Sequence, residues 1–157
     1  MKISLFVIGK TSKKYLQAGI DDYVKRIGHY VKFNMKIIPD VKTGNKEAVS
    51  VLKKKEAEQV FKHISDADTL VLLDENGKIF DSFEFAGYIE KKSIASTKHL
   101  VFLVGGAFGF ADELYTRAND KIALSKMTFS HQAIRFIFAE QLYRAFTIIR
   151  NEPYHNA

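Results

Sequence analysis

Short apolar runs alternate along this chain with longer segments in which apolar residues recur every three or four positions. Strands are predicted at 3–8, 33–38, 69–73, 100–104 and 121–124, with a helix-length segment after each of them. Strands that alternate with amphipathic helices are typical of a mostly parallel sheet with helices on both faces. The order βαβαβαβαβα therefore predicts an α/β fold.

Local signals predict several element boundaries. Asp81 and Glu84 have the spacing of a capping box, which predicts the start of the third helix. The sequence Asp-Glu-Asn-Gly at 74–77 predicts a tight turn after the third strand, and residues 40–46 are predicted to form a loop. Because there is no low-complexity segment or internal repeat, residues 1–157 are interpreted as a single domain.

Composition excludes several classes of protein. A chain of 157 residues with 46% hydrophobic content is long enough to bury a core without covalent links. The absence of cysteine excludes disulfides, zinc-thiolate sites and a cysteine nucleophile. Its apolar runs are shorter than the roughly 20 residues that a membrane span needs, and its first residues are too polar for a signal peptide. We therefore expect a cytoplasmic protein that does not enter a membrane.

The chain is basic. Its 24 Lys and Arg against 18 Asp and Glu give a net charge of +6, which favours an anionic partner such as nucleic acid. Solvated helix faces are the alternative explanation of the lysine-rich stretches. Basic residues also recur late in the sequence, around a glycine-rich segment: Arg117, Lys121, Lys126, Arg135, Arg144 and Arg150.

The glycine-rich segment at 105–109 follows the fourth predicted strand directly. A buried strand that ends in glycines exposes backbone amides at the carboxyl edge of a sheet, where α/β proteins bind nucleotide-like ligands. The segment lacks the dinucleotide-binding glycine pattern, and the early Gly9-Lys10-Thr11 lacks the glycine that a phosphate-binding loop needs five positions earlier. These residues predict a ligand site and leave the reaction open.

The last predicted helix, 131–150, is apolar around most of its circumference. One sheet face covers only one stripe of a helix, so a second surface must cover the rest. A two-fold homodimer is the simplest such surface, and burial inside one subunit is the alternative.

Taken together, these pieces resemble the RlmH family of SPOUT (α/β-knotted) methyltransferases. The resemblance spans essentially the whole chain. It rests on Lys-Ile-x-Leu-x-x-Ile-Gly-Lys at the amino terminus, Leu73-Asp74 with Gly77-Lys78, Phe102-Leu-Val-Gly-Gly106, Leu124-Ser-Lys-Met-Thr-Phe129, His131-Gln132, Arg135, Glu140-Gln-x-Tyr-Arg-Ala145 and Pro153-Tyr-His155.

The resemblance implies an S-adenosylmethionine-dependent enzyme that methylates N3 of a pseudouridine in helix 69 of large-subunit ribosomal RNA. It also implies a homodimer that acts on assembled ribosomes, with a C-terminal trefoil knot that holds the cofactor and without a metal. The implied cofactor-binding residues are Leu73, Gly105, Leu124, Ser125, Lys126, Met127, Thr128 and Phe129. At position 105 a side chain is expected to occupy ligand space.

The implied catalytic residues are Arg144, Tyr154 and His155. Arg144 is expected to stabilise the uracil anion or hold a phosphate, Tyr154 to stack on or hydrogen-bond the base, and His155 to accept the N3 proton. Two alternatives stay open at this point. One is a SPOUT ribose 2′-O-methyltransferase with another RNA target, and the other is a non-catalytic RNA-binding protein of the ribosome.

Overall fold

Within residues 1–42, 44 and 48–156, which the computed structural model describes, five strands alternate with five helices in the predicted order. The strands are β1 (Lys2–Ile8), β2 (Lys32–Ile38), β3 (Thr69–Ile79), β4 (His99–Val104) and β5 (Asp120–Ala123). The helices are α1 (Lys14–Ile27), α2 (Val49–Phe61), α3 (Ser82–Ile94), α4 (Asp112–Arg117) and α5 (Ala133–Ile149). Residues 43 and 45–46 of the predicted loop lie outside the described residues.

The strands form one sheet in the order β2-β1-β4-β3-β5, and every neighbouring pair is parallel. Alternate residues of a strand point to opposite faces, so the two faces of β1 carry different residues. Leu5 and Val7 contribute to one core cluster, and Phe6 and Ile8 contribute to the other. The predicted parallel α/β sheet is confirmed.

Helices cover both faces of the sheet. The first core cluster joins the sheet to α1, α3 and α5, and α5 packs between α1 and α3. The second cluster joins the opposite face to α2 and α4. Because each face has its own helix layer, the strands are buried on both sides, as their nearly continuous apolar sequences require.

The predicted tight turn at 74–77 is wrong, because β3 continues to Ile79. Leu73 and Lys78 both pair with Ile122 of β5, so the four residues between them bulge out of the ladder. A side chain at Gly77 would meet the backbone of Ile122 at 2.6 Å, so only glycine lets the two strands approach here. The turn-forming residues thus make a bulge, which does not end the strand.

The capping box of α3 is confirmed. Glu84 donates its backbone N–H to Asp81 Oδ1 at 2.7 Å, and Asp81 donates its own N–H to Glu84 Oε2 at 2.8 Å. The two hydrogen bonds satisfy donors that a helix start leaves without partners. A purely local sequence signal therefore fixes where α3 begins, close to the carboxyl edge of the sheet.

Within a single subunit, more of the surface of α5 is buried than the sequence predicts. Every residue from 133 to 149 is buried or half-buried. The sheet lies beneath the helix, α1 and α3 flank it, and the C-terminal tail crosses its outer side, where Tyr154 contacts Tyr143. The apolar circumference of α5 therefore does not by itself require a second subunit. In the described part of the chain, no helix has the length and apolar character needed to cross a membrane.

Arg135 of α5 is completely buried. Its guanidinium donates to the carbonyl oxygens of Ile8 at 2.7 Å and Gly9 at 2.9 Å, to Thr11 Oγ1 at 3.1 Å and to the His131 carbonyl at 2.9 Å. Burial lowers the pKa of Arg135, and the negative charge of Asp40 opposes that shift. The side chain ties the start of α5 to the loop that follows β1.

Replacing Arg135 with Met should lower the free energy of unfolding by about 3 kcal/mol, because buried carbonyl oxygens lose their donors. Urea denaturation measures the change. Arg150→Met is the matched control, since Arg150 is exposed at the end of the same helix and its loss should cost less than about 0.5 kcal/mol. Equal effects of the two substitutions would contradict the structural role of Arg135.

Candidate functional site

A cleft of about 560 Å³ opens at the carboxyl edge of the sheet. Its floor includes the last residues of β4 and β5, Val104 and Ala123, and Leu73 of β3, which directly precedes the bulge. This edge is where open parallel sheets place their ligand sites, because the loops that follow the strands converge there. The cleft therefore lies where the glycine-rich segment predicts a site.

The structure brings together nearly all of the residues predicted to bind the cofactor. Those that line the cleft are Leu73, Gly105, Leu124, Ser125, Met127, Thr128 and Phe129. Lys126 lies in the same loop but is not among the lining residues that the structure describes. The loop 124–129 connects β5 to α5 and forms one wall, whereas the turn at 105–110 forms another. The cleft is thus built from segments far apart in sequence.

The glycine turn has a defined conformation. Gly109 donates its N–H to the Gly106 carbonyl at 3.2 Å and has a φ of 81°, which favours glycine. At Gly105 an added Cβ would meet the ring of Phe110 at 3.1 Å. The atoms nearest to that Cβ therefore belong to a buried aromatic ring, so a side chain at 105 would displace the turn.

Two polar pairs span the cleft and were not predicted from the sequence. Tyr115 of α4 donates its hydroxyl hydrogen to Asp74 of the β3 bulge, and Thr128 donates to Glu75 at 2.8 Å. Burial and the hydrogen bond to Asp74 raise the pKa of Tyr115 to about 12, so its hydroxyl stays protonated at neutral pH. The bulge therefore presents carboxylates to both neighbouring loops.

A second polar cluster joins α5 to the C-terminal tail. It brings the three predicted catalytic residues together with Glu140, which the sequence did not single out for a role. Arg144 donates to His155 Nδ1 at 3.1 Å and also pairs with Glu140. Tyr154 donates to Glu140 Oε1 at 3.1 Å, and the Arg144 guanidinium lies 4.8 Å from the centre of the Tyr154 ring. We call these four residues the tail cluster.

The hydrogen bonds of the tail cluster assign its protons. An arginine side chain only donates, so the neutral ring of His155 accepts through Nδ1 and carries its proton on Nε2. Burial, with a further contribution from the hydrogen bond to Tyr23, raises the pKa of Tyr154 well above its usual value. In this arrangement the cluster presents the Nε2–H of His155 and the guanidinium of Arg144 as donors, and the lone pair at Nδ1 is already engaged.

The cleft and the tail cluster are separate within one chain. No member of the cluster lines the cleft as the structure describes it, although Ile134 of the same helix does. Ten residues separate Ile134 from Arg144, which is about 15 Å along a helix. The two parts of the predicted site therefore contact different parts of α5: the cleft its first turn, and the tail cluster its middle and second half.

Residues 1–155 match the family model described as "Predicted SPOUT methyltransferase", and the chain belongs to the SPOUT methyltransferase family. The parallel α/β sheet agrees with that membership, and the resemblance seen in the sequence is confirmed. The relatives carry a more specific name.

The chain is 51% identical to "Ribosomal RNA large subunit methyltransferase H" of Flavobacterium johnsoniae, with 99% of each chain covered. It is also 51% identical to the protein of that name in Parabacteroides distasonis and 42% identical to the one in Porphyromonas gingivalis, again over 99% of each chain. The similarity therefore includes both the cleft and the tail cluster.

Proposed function

We propose that this protein transfers a methyl group from S-adenosylmethionine to N3 of a pseudouridine in helix 69 of large-subunit ribosomal RNA. The observation that carries the proposal is the cleft at the carboxyl edge, in a chain similar over its full length to proteins named as large-subunit ribosomal RNA methyltransferases. We further propose that it acts in the cytoplasm on assembled ribosomes, as the family resemblance implies.

The cleft suits S-adenosylmethionine in size and lining. Its volume falls within the range of small-molecule sites, and apolar side chains such as Leu73, Leu124 and Phe129 offer surfaces for a flat adenine ring. Backbone groups of 124–129, with Ser125 and Thr128, would fix the polar edges of the cofactor. When bound, the cofactor supplies a methyl group that its sulfonium has already made electrophilic.

In this proposal the tail cluster holds the target base. Arg144 and the Nε2–H of His155 donate hydrogen bonds, which stabilise the negative charge that develops as N3 loses its proton. Tyr154 packs its ring beneath the Arg144 guanidinium and orients it. We assign His155 a donor role because its Nδ1 accepts from Arg144. Solvent, not His155, then accepts the N3 proton.

A homodimer would unite the two halves of the site. Groups that act on N3 must lie within a few ångströms of the methyl carbon, and about 15 Å of helix separates Ile134 at the cleft from Arg144 in one chain. In the two-fold dimer that we propose, the partner subunit's tail cluster lies over the cleft. The proposed dimer therefore rests on the chemistry of the site.

We also propose the C-terminal trefoil knot that the family resemblance implies. It is supported by the path of the chain, which leaves the edge strand β5 and returns with α5 to the middle of a helix layer. Single-molecule stretching tests it. A knotted chain should stop short of the extension that 157 residues allow, whereas full extension would contradict the knot.

The substitution Gly105→Val should weaken binding of S-adenosylmethionine at least about tenfold, because the side chain would meet Phe110 and displace the glycine turn. Titration calorimetry measures the affinity. Gly87→Val is the control, since a Cβ at Gly87 in α3 meets no atom within 4 Å. Unchanged affinity in the Gly105 variant would remove the turn from the cofactor site.

The proposal is tested directly by methyl transfer in vitro. Purified protein and isotopically labelled S-adenosylmethionine are incubated with assembled ribosomes, with isolated large subunits or with naked RNA. We expect label in the large-subunit RNA of assembled ribosomes. Cofactor binding without transfer to any of the three would contradict the proposal, and the absence of cofactor binding would favour a non-catalytic RNA-binding protein.

A further inference from the structure

The loop after β1, together with the first two residues of α1, forms a basic, exposed surface at the carboxyl edge of the sheet, which we call the loop 10–15. Lys10, Lys13 and Lys14 are all exposed, and the side chain of Tyr15 is 73% exposed. Residues 9–15 contain no acidic residue. Because β1 runs parallel to β3 and β4 in the same sheet, this loop emerges at the edge that carries the cleft.

The loop is held in place from below. Arg135 donates to the carbonyls of Ile8 and Gly9 and to the hydroxyl of Thr11, as described above. Gln132 binds the next part of the loop twice: it donates to the Lys10 carbonyl at 3.2 Å and accepts the Ser12 N–H at 2.8 Å. Burying an arginine side chain costs free energy, and a loop that only contacts solvent does not require that cost.

The same anchors couple the loop to the cleft. Gln132 directly follows Ser130 and His131, which line the cleft. The backbone that carries the lysines is therefore fixed relative to the segment that lines the cleft, so an RNA strand bound to them would lie near the cleft. The conformation of the loop also depends on Gly9, whose φ is 72°. The carboxylate of Asp40 packs against Gly9, at the start of this loop.

Three of the late basic residues are engaged in other contacts. Arg135 is buried, and Arg117 uses its guanidinium on the carbonyls of Ser65 and Asp68, beside the opposite, amino edge of the sheet. Arg144 belongs to the tail cluster. The loop 10–15 combines exposed lysines, an exposed aromatic ring and backbone attachment, through Gln132, to residues next to the cleft.

We propose that the loop 10–15 is an RNA-docking surface, and this inference rests on the proposed function. Lys10, Lys13 and Lys14 hold the phosphates of an RNA strand that approaches the cleft, and Tyr15 stacks on an unpaired base. Lysines interleaved with an exposed aromatic side chain are the usual means of binding single-stranded RNA. Phosphate contacts fix the register of the strand without reading its sequence.

The test replaces all three lysines with glutamine. Affinity for a hairpin RNA of the target region is measured by fluorescence anisotropy over a range of salt concentrations, and KM and kcat are measured with ribosomes. We expect affinity for the RNA to fall at least about tenfold at 0.1 M salt. The slope of the logarithm of the association constant against the logarithm of the salt concentration should become shallower by about 2. Affinity for S-adenosylmethionine should be unchanged.

The control variant replaces Lys32, Lys91 and Lys98 with glutamine. These lysines are also exposed, but two of them flank strand starts at the amino edge of the sheet and the third lies in the last turn of α3. The change in net charge is identical, so a purely long-range effect of charge would weaken binding equally in both variants. We expect the control to keep the wild-type slope and KM.

A second pair of variants tests the stacking role. Tyr15→Ala should raise KM several-fold with little change in kcat, and Tyr15→Phe should restore the wild-type KM. The docking proposal is overturned if wild-type protein methylates ribosomal RNA and the triple-glutamine loop variant keeps the wild-type slope and KM. If the wild-type protein itself transfers no methyl group to ribosomal RNA, the proposed function fails instead.

Discussion

Deletion of residues 154–157 is expected to lower kcat for methyl transfer at least about 10²-fold, while affinity for S-adenosylmethionine stays within about twofold. The deletion removes Tyr154 and His155 from the tail cluster and leaves the Arg144 guanidinium without its packing surface. Neither residue lines the cleft. Single-turnover kinetics and calorimetry measure the two quantities separately.

A shorter deletion of residues 156–157 is the matched control and should retain the wild-type rate, because Tyr154 and His155 keep their contacts. The point variant His155→Ala guards against a folding defect in the longer deletion. If His155 donates through Nε2, this variant should lose rate equally across the pH range. Recovery of its rate as pH rises, when the imide ionises unaided, would show instead that His155 accepts the proton.

Mixing two inactive variants is expected to restore activity. In the proposed dimer each site takes its cofactor cleft from one subunit and its tail cluster from the other. A heterodimer of Gly105→Val and Arg144→Ala chains then contains one site with both defects and one site with none. With random assortment of subunits, about one quarter of the wild-type rate should return.

Each variant alone serves as the control and should be inactive when S-adenosylmethionine is held well below the dissociation constant of the Gly105→Val protein. Sedimentation must show that both variants and their mixture are dimers, since a monomeric wild-type protein would already contradict the composite site. An inactive mixture of dimers would place the cleft and the tail cluster of the same chain in one site. In that case the tail would have to move toward the cleft when RNA binds.

Much of the fold follows from local sequence patterns. The alternation of strands and helices, the parallel sheet and the capping box of α3 are predicted correctly, because each depends on side-chain spacing within one segment. The bulge in β3 was missed for a physical reason. The residues at 74–77 favour a turn locally, but pairing with β5 resumes at Lys78, so the strand continues past them.

The candidate site was predictable in part. The glycine turn and the loop 124–129 carry the family resemblance, and the structure places both at one cleft. The i,i+4 spacing of Glu140 and Arg144 is a local signal for their ion pair, whereas the contacts of Glu140 with Tyr154 and of Tyr115 with Asp74 join separate segments, which no local pattern encodes. The role of Arg135 was hidden as well, because its position in an apolar helix does not reveal that its partners are carbonyls next to β1.

The most direct test of the central claim is mass spectrometry of nucleosides from large-subunit ribosomal RNA of cells with and without this gene. We predict that N3-methylated pseudouridine is present in the parent strain and absent in the deletion strain. The wild-type gene should restore it, and the Arg144→Ala variant should not. An unchanged set of methylated nucleosides in the deletion strain, or the loss of a 2′-O-methylated nucleoside instead, would contradict the account.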